Sequence, residues 1–195
     1  MSNCCTTYWA LKGPKEAIER LESILKSLKP SAAHKRPWLP DVMKKAGADL
    51  PEDQDRRSEF LSWNKYRDVF MTTTEDANTP KLEAMASLAK ACGFTKTLYL
   101  SECFENGIFE TNDKNREYFR RKYALDLETD IRDDIESLTY FDSEEELLSF
   151  LGEKFGLRYN SADDVEMNLE NDLFDMDENA FCSFHEIIYS DELKK

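Results

Sequence analysis

The chain has 195 residues, 26 Lys+Arg against 40 Asp+Glu for a formal net charge of −14, and 41% hydrophobic and 12% aromatic residues. A chain of this size buries a core without covalent staples, and its periodic apolar positions exclude disorder of the whole. No apolar run approaches the roughly 20 residues of a membrane span, and the start, Met1-Ser2-Asn3-Cys4-Cys5-Thr6, lacks a basic stretch followed by an apolar one, so a soluble cytoplasmic protein is expected.

Cys4 to Leu11 is rich in Thr, Tyr and Trp and ends at Gly13-Pro14, which predicts an opening strand and a turn. Ala17, Ile18, Leu21, Ile24, Leu25 and Leu28 recur at helical spacing between Pro14 and Pro30, with Lys15, Glu16, Glu19, Arg20 and Glu22 on the wet face. Residues 30–55 are different in kind. They are Pro-rich, contain the basic cluster His34-Lys35-Arg36, and predict only a short helix over Asp41 to Ala46 closed by Gly47, so they form an insertion. Ser58 to Trp63 and Tyr66 to Thr74 predict two strands joined at Asn64-Lys65. A second helix runs from Pro80 through Leu82, Met85 and Leu88 to Gly93, and Thr95 to Cys103 alternates as a strand.

The order β-α-β-β-α-β is the ferredoxin-like plan, an antiparallel sheet with two helices on one face. Further strands are predicted at Ile108 to Thr111, Tyr118 to Leu125 and Glu136 to Tyr140, the first two separated by the turn signal Asn112-Asp113-Lys114-Asn115. Ser143 with Glu146 forms a capping box that starts a helix buried through Leu147, Leu148, Leu151 and Phe155. An acidic helix over Ala162 to Leu173 and a last strand from Phe181 to Tyr189 complete the chain. The expected fold class is α+β, a ferredoxin-like domain over 1–156 extended by extra strands and a helix. An acidic extension over 157–195 is expected to pack a last strand on that domain.

Several segments together resemble the YubB ferredoxin-like family of bacterial, plasmid and phage proteins. They are Asn3-Cys4, Trp38-Leu39 with Gly47 and Arg57, and the block Asn106-Gly107-Ile108-Phe109-Glu110-Thr111-Asn112-Asp113. Tyr118-Phe119-Arg120-Arg121-Lys122-Tyr123 and Tyr140-Phe141-Asp142-Ser143-Glu144-Glu145-Glu146 complete the set. The resemblance covers most of residues 3–152 and implies the fold and an association with mobile elements. Its motifs are turns and strands, so it carries over no functional residues. The sequence departs from the family at Cys4, where a Trp is usual, and at Arg120-Arg121, where Pro-Asp is common.

Chemistry is sparse. His34 and His185 are far apart, and Cys182 and His185, three apart in a strand, face opposite sides. His185-Glu186-Ile187-Ile188-Tyr189 starts like a zinc-protease helix but has Tyr189 where the second His belongs, and the six glycines form no phosphate cradle. Cys4, Cys5, Cys92, Cys103 and Cys182 are odd in number, widely spaced and without a C-x-x-C pair, so they are expected to be reduced. No enzyme activity and no cofactor are predicted.

Three binding functions are compatible with the residues. Asp175, Asp177, Asn179, the Phe181 carbonyl, Ser183 and Glu186 match the ligand positions of a calcium loop, although Ala180 stands where its turn needs Gly. Tyr118, Arg120, Arg121, Lys122 and Tyr123 interleave aromatics with cations, as a sheet that stacks single-stranded nucleic acid does, and the loop clusters His34-Lys35-Arg36, Lys44-Lys45 and Arg56-Arg57 add a basic patch, against the opposition of a net charge of −14. The third is a dock for a basic protein. Residues 1–100 hold 16 basic and 13 acidic side chains, residues 101–195 hold 10 and 27, and between Asp163 and Glu178 there is no Lys or Arg at all. The chain is therefore expected to be a non-catalytic binding or accessory protein.

Overall fold

The computed structural model describes residues 4–29, 35–51, 57–129, 135–191 and 193. Asn3, His34, Arg56 and the acidic pair Glu52-Asp53 lie outside them. The chain is mixed α+β and falls into two compact units, residues 1–119 with 189–195, and residues 120–188.

In the first unit, β1 (Cys4–Lys12) leads through α1 (Lys15–Ser27) and α2 (Leu39–Ala46) to the hairpin of β2 (Ser58–Tyr66) and β3 (Val69–Ala77). α3 (Leu82–Cys92) then returns the chain to β4 (Lys96–Cys103), and a 3-10 turn at Phe104–Asn106 leads into β5 (Ile108–Thr111). β1 lies between β3 and β4 and pairs antiparallel with both, while β2 flanks β3 and β5 flanks β4. The alternation of β1 puts Cys5, Thr7, Trp9 and Leu11 on one face. There Trp9 and Leu11 join Phe60, Phe70 and Tyr99 in one core with Leu21 and Leu25 of α1, Val42 and Met43 of α2, and Met85 and Leu88 of α3. Gly47 and Gly93 close α2 and α3 in the left-handed region, at φ 71° and 97°, where a side chain is strained.

Beyond this apolar region the same face of the sheet turns polar. Asp76, 1% exposed, accepts hydrogen bonds from the hydroxyls of Ser58 (2.5 Å), Thr7 (3.0 Å) and Thr74 (3.2 Å) and from the Lys81 N–H (3.4 Å). Trp9 Nε1 donates to Thr74 Oγ1 at 2.9 Å, tying the network to the apolar core. Burial pushes the Asp76 carboxyl above its usual range, while these donors pull it back.

The second unit holds β6 (Tyr123–Glu128), β7 (Leu138–Phe141), α4 (Glu144–Phe155), α5 (Ala162–Met176) and β8 (Phe181–Glu186). β6 is the centre of a three-stranded antiparallel sheet, flanked by β7 and β8. Tyr123, Leu125 and Leu127 pack with Leu147, Leu151 and Phe155 of α4 and Val165, Leu169 and Leu173 of α5, a core separate from the first. Ser143 caps α4 by accepting the Glu146 N–H at 3.2 Å, and Glu146 Oε2 accepts the Asp142 N–H at 2.9 Å, so the expected cap is formed. Ser161 does the same for α5 with the Asp164 N–H, at 3.2 Å.

Several boundaries differ from the sequence expectation. β6, β7 and β8 form a second sheet, and the units divide at 119/120 instead of after 156, because β6, β7 and α4 pack with α5 and β8. The hairpin turns at Arg67-Asp68, three residues past Asn64-Lys65. The pairing of Lys12 with Val69 and the Gly13 N–H bond to the Asp68 carbonyl hold the turn there, and β2 carries a bulge between Phe60 and Ser62. Tyr118 to Lys122 is not strand: Asp113 Oδ2 accepts the N–H groups of both Tyr118 (2.7 Å) and Phe119 (3.1 Å) and draws that stretch into a loop. The last strand breaks at buried Ile187 into β8 and a short β9 (Ile188–Tyr189) on the six-stranded sheet. Cys5 and Cys103 are not reduced thiols. Facing each other across β1 and β4 with Cα atoms 4.3 Å apart, they form a disulfide.

Candidate functional site

The calcium ligands expected from spacing are spread over a helix, a turn and a strand. Asp175 is on α5, Asp177 is its C-cap, Asn179 is in the following turn, and Ser183 and Glu186 lie on opposite faces of β8. Asp177 is engaged locally, accepting the Asn179 N–H at 3.0 Å and the Thr129 hydroxyl at 3.0 Å. Among the described residues no group of three or more His, Cys, Asp or Glu is placed to hold a metal.

The basic-aromatic run is dispersed in the same way. Tyr118 belongs to the first unit, and Arg120 and Lys122 are in the loop before β6. The Arg121 guanidinium sits 3.8 Å from the centre of the Tyr140 ring, and Tyr123 is buried and stacked on Phe184 at 5.8 Å.

The acids of the second unit separate into two groups. Asp164 donates its N–H to the Ser161 cap and accepts the Asn160 N–H at 3.0 Å, Asp172 accepts the Tyr159 hydroxyl at 2.7 Å, and Glu144 accepts the Ala162 N–H at 3.0 Å. Burial and Asp172 together push the Tyr159 phenol well above its ordinary range. By contrast Asp163, Glu166, Glu170, Asp175 and Glu178 make no hydrogen bond or ion pair among the described residues.

Those carboxylates share α5 and its C-terminal turn with large apolar side chains that the core does not take up. Val165, Leu169 and Leu173 face inward. Met167 and Phe174, seven residues apart and so on one face, point the other way at 69% and 57% exposure, beside Asp163 and Glu170. Met176 and Phe181 are also exposed, at 44% and 54%. No Lys or Arg occurs from Tyr159 to Leu193, so nothing in this stretch neutralises the face.

Sequence reasoning missed a third grouping. It compared His185 with Cys182, three positions away, whereas the strand period of two places His185 beside Ser183. Ser183 Oγ lies 2.7 Å from His185 Nε2, and Ser183 is opposite Asp126 in the β6–β8 register. Burial holds His185 below its ordinary value, against the pull of Asp126 and Glu166. Cys182, on the core side, is pushed up to about 12 by burial, Glu170 and Asp126.

Comparison with known proteins adds no neighbour: no family model, no curated protein and no solved structure matches the chain.

Proposed function

We propose that the chain is a non-catalytic binding protein whose second unit docks a basic, amphipathic segment of another protein. One observation carries this. Residues 120–188 hold 6 Lys+Arg and 20 Asp+Glu, a charge of −14, which leaves 20 of each for the rest of the chain. The whole net charge belongs to the unit that also exposes Met167 and Phe174. Unpaired carboxylates steer a cationic partner and select its sign, whereas exposed Met and Phe supply apolar area for it to bury. Methionine, flexible and polarizable, suits a surface that adapts to its ligand.

For the first unit we infer the ferredoxin-like plan, and with it kinship to the YubB family. The support is the spatial sequence β2-β3-β1-β4 with antiparallel neighbours, and the packing of α1 and α3 against one set of strand residues.

The docking proposal is tested with a fluorescent synthetic helix of alternating Lys and Leu faces, titrated with the intact chain. Binding is expected in the micromolar range at low salt, weakening as salt rises. The double variant Met167→Ser/Phe174→Ser should lose about tenfold in affinity with unchanged thermal stability, since both side chains are exposed. Equal binding of an all-Lys peptide without Leu, or wild-type affinity in the double variant, would show that the apolar residues do not dock a partner.

A further inference from the structure

The first unit contains a cleft of about 460 Å³ that the docking function does not use. Its walls are the start of β4, the loop after β5 and the returning segment after β9, with Ala86 of α3. That volume lies within the range of small-molecule sites.

The loop after β5 is held from within to an extent that a plain turn does not need. Asn112 uses both ends of its amide on β4: Oδ1 accepts the Tyr99 N–H at 2.8 Å, and Nδ2 donates to the Thr97 carbonyl at 3.0 Å. Thr111 Oγ1 donates to the Tyr99 carbonyl at 2.5 Å and accepts the Asp113 N–H at 3.1 Å. Asp113, 3% exposed, then anchors the far side through the N–H groups of Tyr118 and Phe119. Three consecutive side chains are spent on backbone, and the loop presents Lys114 and Asn115 to the cleft. A rigid loop holds recognition groups in place without an ordering cost on binding.

The charges in the cleft have a direction. Lys96 and Lys114 are both exposed and make no ion pair among the described residues. The two carboxylates in the lining are differently placed: Asp113 is buried under its N–H donors, and Asp191 accepts the Tyr189 hydroxyl. Lys96 and Lys114 thus line the cleft as exposed cations, with Asp191, its carboxylate still charged, engaged by the Tyr189 hydroxyl. Beside them Tyr189 offers a ring face, with Lys114 Nζ 5.9 Å from its centre, and Leu98 and Leu193 add apolar wall.

We propose that this cleft binds a small organic anion built on a flat ring. The anionic group is held by Lys96 and Lys114, and the ring lies against Tyr189. The shared chemistry is a ring bearing either phosphate or carboxylate, and the probes separate the two.

Calorimetric titration of the intact chain would use adenosine 5′-monophosphate and benzoate as the two anions. Adenosine, which has the ring without the charge, and inorganic phosphate, which has the charge without the ring, serve as controls. At least one anion is expected to bind with one-to-one stoichiometry and a Kd below about 1 mM, at least about tenfold tighter than its control. The variant Lys96→Gln/Lys114→Gln should weaken that binding at least about tenfold, and Tyr189→Leu should remove the advantage of the anion over inorganic phosphate. The lysines are exposed, so the fold is not at stake, and a thermal melt checks it. Failure of both anions to bind, inorganic phosphate binding as tightly as the ringed anions, or wild-type affinity in the double variant would overturn the proposal. None of these changes touches the acidic unit, so the result is independent of the docking test.

Discussion

Asp76 shows how much one buried side chain settles in this chain. Its carboxylate collects four donors from β1, β2, β3 and the start of α3, so it fixes where the sheet ends and the helix begins. Removing it strands those donors away from water. Asp76→Ala should therefore cost about 3 kcal/mol, read as a lower urea midpoint with an unchanged slope. Asp76→Asn, which keeps an acceptor, should cost less than the alanine. The sequence expectation ends the strand at Thr74 and carries no sign of this. Thr7, Ser58 and Asp76 are brought together by strand register, not by spacing along the chain.

At the scale of elements, the best legible features were local ones. The cap at Ser143, the glycine stops at Gly47 and Gly93, and the amphipathic stripe of α1 depend on neighbours within a turn or two. Features set by distant partners were misplaced: the β2–β3 turn, the loop over Tyr118 to Lys122, and the state of Cys5. Counting cysteines could not reveal the Cys5–Cys103 pair, since their 98-residue separation is bridged only when β1 and β4 lie side by side. A link closing so long a loop removes much freedom from the unfolded chain. Reduction, or the variant Cys5→Ser/Cys103→Ser, should lower stability by up to about 4 kcal/mol, measured by urea unfolding with and without reductant.

For the whole molecule, the charge partition has its own consequence. The first unit is balanced at 20 basic and 20 acidic residues, whereas the second carries −14 in 69 residues and repels itself. With a separate core in each unit, calorimetry at neutral pH should resolve a salt-dependent transition from a salt-insensitive one. Raising salt from about 0.02 M to about 0.5 M should shift the acidic unit's transition upward, as screening shortens the reach of its carboxylates. A single transition that salt does not move would contradict this division of the charge.

The α+β class, most helices and strands, the helix caps and the asymmetry of charge were determined by sequence alone, because each depends on composition or on residues a few positions apart. Tertiary structure decided that the asymmetry is a property of one unit, that five of the acids from Asp163 to Glu178 are unengaged among the described residues, and that Met167 and Phe174 stand among them. It also decided that Thr111, Asn112 and Asp113 hold a loop on the rim of a cleft. Hydrogen-bond partners and exposure are set by what folding brings near, and a linear pattern does not contain those neighbours.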